Sequence, residues 1–254
     1  MPTVKNISDF IDSLAPYGTK CEWDNCGILV GDKDRPIHKI GFTLDLTHET
    51  LREAVSEGVQ LVVTHHPVIF HAQKSFTSGN IAFEAAKNGI DVISAHTCFD
   101  CADGGVNDVL CEILGLTQIE KVESAETVKP MARIGRIRAV SPGELAALAS
   151  KKLDTAVRLV DGGKNIEKVA VCGGAGMCFL DDVLAAGADA FITGEIKHNE
   201  MLEAKEKGMT VIAAGHFETE APAMNVLKER VQESFPDTQC ILIKQENPIV
   251  YIKE

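Results

Sequence analysis

Five side chains stand out for the chemistry that their types and positions allow: His65, His66, Asp100, His216 and Glu220. The run Val62-Val63-Thr64-His65-His66-Pro67 sets two adjacent histidines at the carboxyl end of an apolar strand. In an open parallel sheet, the loops at such ends are free to present side chains to a ligand. Adjacent residues of a continuing strand point to opposite faces, so the doublet suits two neighbouring ions, one histidine each, better than chelation of a single ion. Imidazole mixed with carboxylate suits zinc, manganese, iron or nickel, and a bridging carboxylate can hold two such ions a few ångströms apart. If residues 216 to 220 begin a helix, their spacing of four places His216 and Glu220 on one face. The expectation is two divalent metal ions per chain, held by these five residues.

Plainer readings stand beside this one. A strand-end histidine is often a hydrogen-bonded core residue, which for His65 or His66 taken singly is as good an explanation as ligation. The doublet together with His216 and Glu220 shifts the balance towards metal. His96 is better read as a residue that orients Asp100 than as a ligand. His198, after the strand that ends at Thr193, is a candidate pocket acid or base, although an ordinary polar place on the following helix fits it better. Glu195 and Glu218 are further candidates for proton transfer, and no spacing selects among the three. His38, His48 and His71 have no partner pattern and are expected at the surface. Cys98-Phe99-Asp100-Cys101 has a C-x-x-C spacing but no second pair to complete a zinc cage, so thiolate or redox chemistry weighs little. Gly173-Gly174-Ala175-Gly176 is either a phosphate cradle or a tight structural turn, and it lacks the Lys-Ser or Lys-Thr pair of a P-loop.

The elements that must position these residues follow one plan twice. Lys39-Ile40-Gly41-Phe42 matches Lys168-Val169-Ala170-Val171 at an offset of 129 residues. Each is followed by a helical stretch, a glycine (Gly58, Gly187) and a second strand ending in threonine (Thr64, Thr193). Strand, helix and strand in about 25 residues is a βαβ unit with parallel strands. The parallel runs on to strands that end in His96 and His216, each followed four positions later by a carboxylate, Asp100 and Glu220. The predicted fold is therefore α/β: two α/β lobes related by internal duplication, with mainly parallel sheets and the metal site at strand carboxyl ends between the lobes. The polar connector over residues 120–129 sets the lobes at 1–125 and 126–235, with 236–254 carrying a buried strand, Cys240-Ile241-Leu242-Ile243, that returns to the first lobe. Ser141-Pro142-Gly143-Glu144 predicts a helix with proline in its first turn.

Composition narrows the function classes. The formal net charge of −12, with 25 dispersed Lys and Arg, argues against a nucleic-acid partner. The first ten residues lack the apolar core of a signal peptide and no apolar run reaches membrane-spanning length, so a cytoplasmic protein without membrane association is expected. Eight cysteines in that setting read as reduced thiols, and the Asn6-Ile7-Ser8 sequon as an accident.

Taken together, several motifs resemble the GTP cyclohydrolase I type 2 homologue family, also described as Ngg-interacting-factor-three-like. They are Trp23-Asp24-Asn25-Cys26-Gly27, Thr43-Leu44-Asp45, Thr64-His65-His66-Pro67, His96-Thr97-Cys98-Phe99-Asp100, Gly104-Gly105-Val106-Asn107-Asp108, Val171-Cys172-Gly173-Gly174-Ala175-Gly176, Thr193-Gly194-Glu195 and Gly215-His216-Phe217-Glu218-Thr219-Glu220. The similarity spans essentially the whole chain. It implies a dinuclear metal site on the same five residues, two α/β lobes and a toroidal homohexamer with metal sites facing an internal cavity. Cys98 and Phe99 stand where Asn and Leu are usual, and the large insertion that some members carry between the lobes has no counterpart here. The activity implied is hydrolytic opening of the guanine imidazole ring of GTP with formate release, on a small-molecule, nucleotide-type substrate. The alternatives are a ring-shaped metal-binding scaffold or regulator without turnover, and a dinuclear metal phosphoesterase.

Overall fold

The computed structural model describes residues 1–124, 127 and 129–250. In chain order the elements are α1 (Val4–Leu14), β1 (Gly27–Val30), β2 (Lys39–Thr43), α2 (His48–Ser56), β3 (Leu61–Thr64), α3 (Ile81–Lys87), β4 (Asp91–Ser94) and α4 (Thr97–Cys101). They continue with α5 (Val106–Leu114), β5 (Thr117–Lys121), β6 (Arg133–Val140), α6 (Pro142–Leu153), β7 (Arg158–Val160), β8 (Ile166–Cys172), α7 (Leu180–Ala185), β9 (Ala190–Thr193), α8 (His198–Glu206), β10 (Thr210–Ala213), α9 (His216–Ser234) and β11 (Gln239–Leu242). The fold is mixed α/β, and the described residues form two sheets, one of five strands and one of six.

Two compact units emerge, Met1–Asp103 with Ala223–Pro248, and Gly104–Pro222 with the segment from Ile249. In the first, the sheet order is β1-β4-β3-β2-β11. Strands β2, β3 and β4 are parallel and in register, with Thr43 beside Thr64 and Thr64 beside Ser94. Their carboxyl ends therefore finish at one level. Leu61-Val62-Val63-Thr64 is buried throughout, as a strand covered on both faces must be. Helix α2 starts where a capping box of Thr47 and Thr50 satisfies its first donors. It packs Leu51 and Ala54 into a core with Val59, Val62, Val92 and Ile243.

The second unit has the order β5-β6-β8-β9-β10-β7. Strands β8, β9 and β10 are parallel, whereas β5 on β6, β6 on β8 and β7 on β10 are antiparallel. The expectation of mainly parallel sheets thus fails here. Among the described residues no helix separates β5 from β6, and without a crossover antiparallel pairing is the arrangement open to them. Ser141 and Glu144 form a capping box with Pro142 in the first turn of α6, as the sequence predicts.

The lobe boundary read at 125/126 differs from the observed division. Residues 125, 126 and 128 of the connector lie outside the described residues, and its beginning is the end of β5. Helix α5 places Leu110, Cys111 and Leu114 in one core with Leu145, Val169 and Ile192, so the chain belongs to the second unit from Gly104 onward. The polar stretch that resembles a linker opens with the end of β5, already within that unit. The other division falls inside α9, between Pro222 and Ala223. The C-terminal strand β11 pairs in parallel with β2, but it is a half-exposed edge with Leu242 46% exposed, and burial is confined to Ile243 beyond its end. Among the described residues, no helix is long and apolar enough to cross a membrane.

Candidate metal centre

In the first unit, the ends of β2, β3 and β4 deliver Asp45, the histidine doublet and His96. The ladder continues one step past β3: the His65 N–H donates to the Thr43 carbonyl at 3.4 Å and the His66 N–H to Leu44 at 3.0 Å. The hydroxyl of Ser94 donates to the His65 carbonyl at 2.8 Å, and that of Thr64 to the His66 carbonyl at 2.8 Å. Because regular strand geometry stops at Thr64, the opposite-face argument does not apply. The two rings lie side by side, centroids 5.0 Å apart. His65 is fully buried and His66 partly so.

One nitrogen of each ring is already committed. Nδ1 of His65 donates to the Ala95 carbonyl at 2.9 Å, and Nδ1 of His66 to Asp45 Oδ1 at 2.7 Å. Nδ1 of His96 donates to Asp24 Oδ1 at 2.8 Å. These bonds fix each ring through Nδ1, the arrangement in which metal-ligating histidines are held by an outer oxygen. The potential donor atoms of His65, His66 and His96 all lie within 4.8 Å of one another. Asp100, on the short helix α4, brings Oδ1 to 3.5 Å from His65 Nε2.

Outer carboxylates are held in turn. Gln245 donates to Asp45 Oδ2 at 2.7 Å and accepts from the Asp45 N–H at 2.9 Å. Burial alone would push the Asp45 carboxyl up. Hydrogen bonding and attraction from His66, with Gln245 and His65, outweigh it and hold the group below its ordinary range. Asp24 is governed the same way: burial opposes the charge, but His96, Thr97 and Cys26 overcome it, so this carboxylate stays ionised well below the usual range. His96 was read from the sequence as an orienter of Asp100. Its ring instead bonds Asp24 and joins the histidine cluster. Asp24 and Asp45 were missed as orienting residues, although both sit in motifs that the sequence displays.

In the second unit, β9 and β10 end at Thr193 and Ala213, and α9 begins at His216. The helical spacing brings His216 Nε2 to 3.1 Å from Glu220 Oε2, while His216 Nδ1 donates to Glu195 Oε1 at 2.8 Å. The fourth histidine thus follows the same rule as the other three. Glu220 is 5% exposed.

The glycine run turns out to be a floor for this pair. The N–H of Gly173 donates to Asn107 Oδ1 at 2.8 Å, that of Gly174 to Thr219 Oγ1 at 3.1 Å, and that of Gly176 to Thr193 Oγ1 at 3.0 Å. Those donors are consumed internally, which favours the structural turn over the phosphate cradle. Gly174 has φ +59°, and a Cβ there would stand 2.1 Å from Glu220 Oε1 and 3.0 Å from His216 Nε2. Only glycine leaves room for those two side chains.

The proton-transfer candidates are placed differently from one another. Glu195 is exposed and bonded to His216. Glu218 accepts from the Thr155 hydroxyl at 2.9 Å and folds back on Gly215, a packing role. His198 is the exposed first residue of α8. His38, His48 and His71 are exposed. The eight cysteines are not paired in disulfides. Cys98 Sγ lies 3.5 Å from Cys26 Sγ, and that hydrogen bond together with burial pushes the Cys98 thiol far up, which disfavours a thiolate ligand there.

Comparison with known proteins gives a consistent set of relatives. The family model described as Duf34/NIF3 (NGG1p interacting factor 3) matches residues 2–248. A Clostridium perfringens protein called GTP cyclohydrolase 1 type 2 homolog is 33% identical, with 98% of this chain and 99% of the relative covered. A Methanocaldococcus jannaschii protein of the same description is 31% identical, covering 89% and 93%. Among solved structures, a Bacillus cereus protein related to NIF3 superposes with a TM-score of 0.89 over 99% of both chains at 20% identity, a likeness of fold. Reduced HcgD from Methanocaldococcus jannaschii superposes with a TM-score of 0.83 at 28% identity, covering 96% and 98%.

Proposed function

We propose that this chain, which belongs to the Duf34/NIF3 (NGG1p interacting factor 3) family, is a dinuclear-metal hydrolase in which His65, His66 and Asp100 of the first unit and His216 and Glu220 of the second supply the ligands. The observation that carries the reading is the shared orientation of the histidines: each has Nδ1 bonded to an oxygen, as metal-ligating histidines have to an outer partner, and His65 and His216 bring Nε2 to 3.5 and 3.1 Å from the carboxylates of Asp100 and Glu220. The room kept clear by Gly174 beside Glu220 and His216 supports it as well. Nitrogen and carboxylate donors fit zinc, iron, manganese or nickel.

When bound, a pair of such ions supplies Lewis acidity that acidifies a water and steadies developing negative charge at neutral pH. The chain's own residues prepare for that chemistry. Asp45, the Ala95 carbonyl and Glu195 fix the tautomer and direction of the rings, so little reorganisation remains when a substrate arrives. Glu195 is our candidate for moving a proton, because its Oε1 accepts from Nδ1 of the proposed ligand His216. The substrate reading is a small nucleotide-type molecule, with opening of the guanine imidazole ring of GTP and formate release as the reaction, following the names of the relatives. The family resemblance further suggests a toroidal homohexamer. The shared order of β2-α2-β3-α3-β4 and β8-α7-β9-α8-β10 supports an internal duplication.

The test is formate production from GTP by purified, metal-reconstituted protein. Formate release that a chelator abolishes and added metal restores is the expected result. Cleavage of a generic phosphodiester without formate would replace this reading with a phosphoesterase. Metal-loaded protein inert towards both would favour a scaffold or regulator.

A further inference from the structure

The chain holds a single tryptophan, and aromatic residues make up only 5% of it. Yet Trp23 is 56% exposed and Phe70, 41% exposed, lies against it with ring centroids 5.5 Å apart and planes inclined by 31°. Isolated exposed apolar residues need no explanation, but this pair is neither isolated nor randomly placed. Trp23 is 5.8 Å and Phe70 6.1 Å, centroid to centroid, from the ring of His96. His96 in turn lies 5.0 Å from the ring of His65 and 5.3 Å from that of His66. All belong to the first unit. An unbroken series of rings thus leads from an exposed indole to the fully buried His65.

The exposed end of this series is held in place. Beside Trp23, Asp24 accepts from the Thr97 N–H at 3.0 Å and from His96, and Asn25 donates to the Ile69 carbonyl at 2.7 Å. The loop bearing Trp23 is therefore tied to the segment bearing Phe70. The carboxylate that orients His96 is next in sequence to the indole. Large rigid rings presented with so little freedom to lose are suited to receive another flat π-system.

We propose that Trp23 and Phe70 form a stacking platform that binds the planar heteroaromatic ring of the substrate beside the histidine cluster. The inference rests on the hydrolase reading and deepens it, because it assigns recognition to the ring and not to a phosphate. It also explains why an acidic chain needs no basic patch to hold its substrate: every nucleobase offers a π-face whatever its charge.

Trp23 reports on its own site, since its fluorescence is the only indole signal. Titrating the full-length protein, with and without metal, guanosine should quench that signal saturably, whereas inorganic tripolyphosphate should leave it unchanged. By equilibrium dialysis, Trp23→Ala and Phe70→Ala should each weaken guanosine binding by roughly tenfold, and Trp23→Phe by much less, with melting temperature and assembly size preserved. Guanosine affinity unchanged in both alanine variants, or no saturable quenching, would overturn the platform. So would a change of assembly size with affinity intact, which would make the pair a contact between copies of the chain. The two readings fail separately. Ring binding without formate release removes the hydrolase and keeps the platform, and formate release with an unchanged KM in Trp23→Ala does the reverse.

Discussion

At the scale of single residues, orientation is the common theme. A free imidazole has two tautomers and a rotating ring, and a fixed oxygen on Nδ1 removes both freedoms before any ligand binds. Gly174 works by absence. Gly174→Ala should cost only about 1–2 kcal/mol through its left-handed backbone, yet it should strip metal, because the new Cβ occupies the space of the Glu220 carboxylate. Glu220→Gln approaches the same site from the other side: volume is kept, and an anionic two-oxygen donor becomes an amide with one good ligand atom. Glu220→Gln should melt near the parent metal-free protein and Gly174→Ala roughly a few degrees below it, while both retain less metal and less hydrolytic rate. Metal content and rate equal to the parent in either variant, measured on one preparation, would remove Glu220 from the centre.

At the scale of elements, strand ends and helix starts decide where chemistry sits. Helix α5 and strand β6 are joined by Arg133, which is 1% exposed, bonds Asp108 through Nε and donates from Nη1 to the Pro130 and Met131 carbonyls at 3.0 Å. Asp108→Ala removes the carboxylate from a buried guanidinium and should cost roughly 3–5 kcal/mol, read by urea denaturation. A loss below about 1 kcal/mol would mean the pair is dispensable. The same scale explains what the sequence could and could not disclose. The histidine doublet and the His216/Glu220 spacing were legible, since apolar runs ending in histidine and a helical spacing of four are local patterns. Asp24 and Asp45 were not, because their histidine partners lie 72 and 21 residues away, across strands whose neighbours only the fold reveals. The glycine run was ambiguous for a like reason: Asn107 and Thr219, which occupy its N–H groups, are 66 and 45 residues distant. The unit boundary was not legible because unit membership depends on where α5 buries its apolar face, which composition does not disclose.

At the scale of the whole molecule, the proposed ligands are split by sequence: His65, His66 and Asp100 belong to the first unit, His216 and Glu220 to the second. Neither set alone offers enough donors for two ions. On the proposed reading both ligand sets would be needed for full metal occupancy, and five donors are more than a single tetrahedral ion takes. The most direct test is to count metal per chain at saturation, by elemental analysis of the native protein together with His65→Ala and His216→Ala. Two ions per chain in the parent, with a deficit in each variant, is the result expected. At most one ion in the parent, or undiminished metal in both variants, would contradict the dinuclear centre.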